Sequence, residues 1–142
     1  MHYSQRLLVY VKRAEQATQA AKEAAVREVG ITAVQQAALS VLSDNPGINP
    51  AELARRCLVS PQAMNSLLGR LEARGFVQRS PHPHHGSLVE IKLTEPGRAV
   101  FEEADALVAK VEHRLAEGLS EEELATVRDL LGRIAANAED MG

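Results

Sequence analysis

Two helix-start signals eleven residues apart, Asn49-Pro50 and Ser60-Pro61, constrain this chain more than any other feature. In each, a side chain able to accept from the unpaired N–H groups of a first helical turn precedes a proline. The proline's fixed φ suits the first helical position, and its missing N–H is not needed there. Glu52 stands where an acid can reach back to the Asn49 cap. The first helix can extend only to about Cys57, which leaves Leu58-Val59-Ser60 as a three-residue turn. The second helix runs to Arg74, where Gly75 stops it. Leu53, Ala54, Cys57, Val59, Met64, Leu67, Leu68 and Leu71 can share one buried side, leaving Gln62, Asn65, Ser66 and Arg70 on the other. A short helix, a tight turn and a longer helix with a polar outer face make residues 49–74 a helix-turn-helix.

The flanks extend this unit. Residues 3–28 carry Leu7, Leu8, Val11, Ala14, Ala17, Ala21 and Ala25 at near-helical spacing, and Gly30 ends that helix. A second helix spans about Thr32 to Ser43, with Val34, Ala37, Ala38, Val41 and Leu42 inward, and Asp44-Asn45-Pro46-Gly47 is a turn. After Gly75 the period changes: Phe76–Arg79 reads as a short strand and Leu88–Leu93 alternates as a half-buried strand does. The segment between them, rich in Pro, Gly and His, is a loop, so residues 76–93 form a two-stranded wing. Thr94 caps a long helix from Glu95 to about Gly118, with Val100, Ala104, Leu107, Val111 and Leu115 as its apolar stripe. Ser120 and Glu123 form a capping box for a last helix to about Ala138, carrying Leu124, Val127, Leu131 and Ile134. The fold class is therefore mainly α, a winged helix-turn-helix (31–94) with terminal helices (1–30 and 95–142) forming a dimerisation region. Those terminal helices carry apolar faces that a lone protomer would leave wet, which implies a homodimer. Such a dimer presents two recognition helices about 34–36 Å apart to successive major grooves of a two-fold symmetric duplex.

Charge decides what the whole-chain total hides. The 142 residues carry a formal charge of −3, but residues 1–49 hold +1, residues 50–98 hold +3 and residues 99–142 hold −7. Positive potential is thus local to the helix-turn-helix and wing, where phosphate attraction needs it. No apolar run approaches the roughly 18 residues of a membrane span, no secretory signal is visible, and the single Cys excludes an intrachain disulfide framework. A cytoplasmic protein without membrane contact is expected. No nucleophile–base pair, paired catalytic carboxylates or phosphate-cradling glycine loop is present, so no enzyme and no cofactor is expected. An aromatic content of 3% leaves little for stacking single strands.

The order of elements, with Glu52-Leu53-Ala54, the Val59-Ser60 turn, Leu71-Glu72-Ala73-Arg74-Gly75-Phe76-Val77 with Arg79, and Leu93-Thr94-Glu95-Pro96-Gly97, resembles the multiple-antibiotic-resistance regulator (MarR) family. The resemblance covers nearly the whole chain. It implies a dimeric transcription regulator, usually a repressor, released from DNA by a small, often phenolic, ligand or by thiol oxidation. The wing departs from the family pattern. An Asp-Arg-Arg-like segment normally stands eight residues before the Leu-Thr pair, and here His85, Gly86 and Ser87 occupy those places. The buttressing acid and the minor-groove arginine are both missing. His82, His84 and His85 can contact phosphate or the groove edge instead, more strongly when protonated.

Within this frame Ser60 caps the recognition helix, and Gln62, Asn65 and Ser66 are candidates for base edges, since amides and hydroxyls pair there. Arg70, Arg74, Arg79 and Lys92, with His84 and His85 on the wing, are candidates for phosphate. For each, the alternative is an ordinary solvated side chain. Cys57 lies where an apolar residue belongs and reads as a small hydrophobe rather than a redox switch. The wing histidines and His113 lack matched partners at ligand spacing, so no metal site is expected. A ligand pocket is expected between the first, second and post-wing helices, with His2, Tyr3 and Tyr10 as lining candidates or as dimer-interface residues. The reading from another functional class is a winged-helix protein-interaction or structural module with weak or no DNA binding.

Overall fold

The computed structural model describes residues 1–81, 84 and 89–142. The chain divides into two compact units, Met1–Val111 and Glu112–Gly142. A short 3-10 turn (Tyr3–Gln5) precedes α1 (Leu7–Val26), and a second (Arg27–Val29) leads to α2 (Ala33–Asp44). The helix-turn-helix is α3 (Pro50–Arg56) and α4 (Pro61–Ala73), and the wing strands are β1 (Val77–Pro81) and β2 (Val89–Leu93). α5 (Glu95–Leu115) and α6 (Glu121–Met141) complete the chain.

Capping follows the sequence closely. Asn49 accepts from the Glu52 N–H at 2.8 Å, and Ser60 from the Ala63 N–H at 3.0 Å. Thr32 with Gln35 and Ser120 with Glu123 each form a reciprocal capping box. Glu52 differs from expectation. Its carboxylate does not return to the Asn49 backbone but receives Arg55 and, at 3.0 Å, Arg56. Hydrogen bonds from Arg55 and then Arg56 hold the Glu52 carboxyl down to about 2. Arg56 also donates to the Asn45 side chain at 2.9 Å, which ties α3 to the end of α2.

Several boundaries move for physical reasons. α1 starts at Leu7 rather than Tyr3, because His2 caps a separate 3-10 turn and Arg6 is extended. Val34 was expected inward but faces out, 36% exposed; Ala33, Gln35, Gln36, Ala38, Leu39 and Leu42 take the buried side of α2. β1 runs past Arg79 to Pro81, with Ser80 opposite Glu90 and Pro81 opposite Val89. Proline is tolerated at that strand end because it need not donate to the ladder. The far edge of β2 is also paired: Ile91 donates to the Ile48 carbonyl at 2.9 Å and accepts from Gly47 at 3.2 Å. The turn before α3 is thereby sewn to the wing.

In the first unit Leu39, Leu42, Leu53, Met64, Leu68, Leu71, Ile91 and Val26 are fully buried, and Ala104 of α5 joins the same core. Each large aliphatic side chain so buried contributes about 1.5–3 kcal/mol. α6 buries none of its residues, and Val127, Leu130 and Leu131 are exposed by 43%, 45% and 51%. At the other end of the chain Leu7, Leu8 and Tyr10 are exposed as well.

The seam between wing and α5 is the tightest approach. A Cβ at Gly97 would stand 1.9 Å from the Phe76 carbonyl oxygen, far inside contact distance and against backbone. Gly97→Ala should therefore destabilise the fold by about 3 kcal/mol, at the upper end for overpacking. Chemical denaturation checks this, and a loss below about 1 kcal/mol contradicts the close approach.

Candidate DNA-binding face

α4 sorts its residues cleanly. Met64, Leu67, Leu68 and Leu71 are buried, whereas Gln62, Asn65, Ser66 and Arg70 are all exposed on the opposite side. Ser60 is exposed at the helix start with its hydroxyl turned to the Ala63 N–H. The turn before it contains Leu58 at φ 59°, in the left-handed region that disfavours a side-chain-bearing residue, and its side chain is 91% exposed. Hydrogen bonds from Leu58 N–H to the Arg55 carbonyl and Val59 N–H to the Ala54 carbonyl close the turn despite that cost. Nothing in the sequence marked Leu58, since glycine or asparagine is the usual occupant of such a position.

The four expected phosphate-binding cations are not alike. The Arg70 side chain has no hydrogen-bond or ion-pair partner among the described residues. Arg74 was read as a phosphate clamp, but its guanidinium donates to the Gly30 carbonyl at 2.7 Å and lies 4.7 Å over the Phe76 ring. It latches the end of α4 to the segment after α1. Arg79 donates to Glu72 at 2.6 Å and reaches the Asn65 carbonyl at 3.4 Å, bridging β1 to α4. Lys92 pairs with Glu90 at 3.2 Å, the Glu90 side chain being nearly buried. Sequence reasoning missed Glu72 as a partner. Its position seven residues after Asn65, two helical turns on, was the available signal.

On the wing, His84 is exposed, and the proposed contacts at His82 and His85 lie outside the described residues, as do Gly86 and Ser87. Cys57 is half-buried against the core, and burial pushes its thiol up, with Lys22 opposing. A thiol held in its protonated form is a poor nucleophile, which suits a packing role. Among the described residues no group of three or more His, Cys, Asp or Glu could hold a metal ion, and no helix is long and apolar enough to cross a membrane.

Of His2, Tyr3 and Tyr10, named as pocket candidates, Tyr3 and Tyr10 are 66% and 57% exposed, and His2 packs on Tyr3 and hydrogen-bonds Ser4. A cavity of about 410 Å³ opens between the start of α2 and α4. Thr32, Val34, Val59, Ala63 and Leu67 line it beside Ser66 and Arg70, two of the outward side chains of α4.

Comparison with known proteins agrees with this geometry. Residues 29–86 match the model of the MarR family. The HTH-type transcriptional repressor Rv2887 of Mycobacterium tuberculosis is 33% identical over 114 residues, covering 80% of this chain and 82% of that protein. The multiple antibiotic resistance protein MarR of Escherichia coli is 34% identical over 105 residues, 73% of each chain. The structure of a mutant of E. coli MarR complexed with operator DNA superposes with a TM-score of 0.83 at 29% identity, covering 90% of this chain and 92% of that one. The chain belongs to the MarR family of winged-helix transcription regulators.

Proposed function

We propose that this regulator is a repressor that binds a two-fold symmetric duplex as a homodimer, with α4 entering the major groove. The observation that carries the reading is the outward face of α4, where neutral polar side chains suited to base edges stand beside Arg70, whose side chain has no partner among the described residues. Gln62, Asn65 and Ser66 read base edges, and Arg70 grips phosphate. The operator complex of the E. coli relative supports it. In titrations against duplexes tiled from upstream of its own gene, Asn65→Ala should relax preference for the best site over random DNA. Arg70→Ala should weaken both alike and lower the salt slope by about 0.9. Equal losses from the two variants on both duplexes defeat the division of roles. No binding by the wild type at low salt on any duplex favours the interaction module. That second reading draws on one observation: Arg74, Arg79 and Lys92 already have partners within the protomer.

The dimer forms through the exposed apolar faces of the terminal helices, Leu7 and Leu8 of α1 and Val127, Leu130 and Leu131 of α6. Leu131→Glu should shift sedimentation from dimer to monomer and weaken operator binding at least tenfold, because two half-sites then bind independently. A wild-type monomer at micromolar concentration overturns the dimer.

The effector is a small aromatic acid that enters the cavity beside α4. The apolar lining of Val34, Val59, Ala63 and Leu67 suits a ring, and Arg70 suits a carboxylate. A ligand there occupies side chains that DNA also needs. Millimolar benzoate should lower the apparent DNA affinity of the wild type, and Val34→Phe, which fills the cavity from α2, should abolish that sensitivity. Undiminished sensitivity in Val34→Phe places the effector elsewhere.

A further inference from the structure

We infer that Glu72 attenuates DNA binding by holding Arg79, an inference that rests on the DNA-binding reading above. Glu72 lies two helical turns beyond Asn65, so the two share one side of α4. Arg79 comes from β1 and lies along that side, its Nε–H on the Glu72 carboxylate at 2.6 Å and one Nη–H toward the Asn65 carbonyl at 3.4 Å. Both side chains keep about a third of their surface in solvent, Arg79 30% and Glu72 37%, so the pair is reachable from outside. A duplex approaching Asn65 therefore meets a neutral pair where the sequence alone promises a cation.

A phosphate competes for the same guanidinium donors that Glu72 holds. Exposed ion pairs are weak, so the exchange is open to Arg79. Direct repulsion between the carboxylate and an incoming phosphate is the competing account, and it does not depend on Arg79. Glu72 acts against affinity by withholding a donor. The effect runs through Arg79 and does not need Glu72 to touch DNA.

Glu72→Gln separates charge from shape, since the amide oxygen still accepts from the Arg79 Nε–H. DNA affinity of wild type, Glu72→Gln, Arg79→Ala and the double variant is measured by fluorescence anisotropy across a salt series. The duplexes are tiled upstream of the gene, with one random sequence beside them. Glu72→Gln should bind about fivefold tighter at moderate salt, the scale of one surface charge interaction, with a salt slope steeper by up to about 0.9. Arg79→Ala should remove that gain in the double variant. Unchanged or weaker binding by Glu72→Gln overturns the inference, as does a gain that persists without Arg79. Loss of wild-type binding on every duplex instead overturns the DNA-binding reading itself.

Discussion

The close approach of α5 to the Phe76 backbone is the constraint on which the rest of the DNA-binding unit depends. Phe76 accepts from the Thr94 N–H at 3.1 Å, and the Thr94 hydroxyl donates to the Gly75 carbonyl while accepting from the Gly97 N–H at 3.1 Å. Only a residue without Cβ lets the first turn of α5 lie this near. The exit of α4, the start of β1, the end of β2 and the start of α5 consequently meet at one point. Arg74 adds a fifth direction by reaching Gly30 beyond α1. At the other end of α4 the Val59–Ala54 hydrogen bond fixes the turn. The recognition helix is thus clamped at both ends, and its polar face is presented on a rigid support, as recognition of a fixed base pattern requires.

Clamping consumes charge. The local excess of three positive charges over residues 50–98 suggests a broad phosphate-binding surface, yet most of those cations already serve the fold. Arg55 and Arg56 converge on Glu52, Arg74 on Gly30, Arg79 on Glu72 and Lys92 on Glu90. What remains on α4 is Arg70 beside neutral donors and acceptors. A surface of that kind discriminates by hydrogen-bond pattern more than it attracts by field, since base edges specify while phosphate contacts position. With the wing sequence also lacking the usual arginine, the proposed dimer would draw much of its affinity from joining two half-sites.

Fold legibility followed how local each signal was. The side-chain caps at Asn49, Ser60 and Ser120 involve neighbours three residues away and form as the sequence implies, although Glu52 turns to Arg55 and Arg56 instead of back to Asn49. Long-range choices were hidden. The Ile48–Ile91 bridge, the Arg74–Gly30 latch and the Arg79–Glu72 pair join residues that periodicity cannot relate. Val34 was misplaced because an apolar residue near a helix start fits either side of a short stripe until the partner helix is known. The outward residues of α4 were legible because the four large apolar side chains opposite them leave one choice of face. The roles of the individual cations were not, since an arginine's reach spans several possible partners.

The effector site proposed beside α4 implies a direct form of coupling between ligand and DNA. A pocket deep between dimerisation helices would have to act by altering the spacing of two recognition helices. Here Ser66 and Arg70 line the cavity and stand on the outward face of α4 at once. An occupant that engages the Arg70 guanidinium removes the one cation on α4 that the fold leaves unpaired among the described residues. Coupling then needs no conformational relay, and reciprocity requires DNA to expel the ligand as strongly as the ligand expels DNA. With so few cations available on α4, withdrawing one takes a large share of the positioning energy.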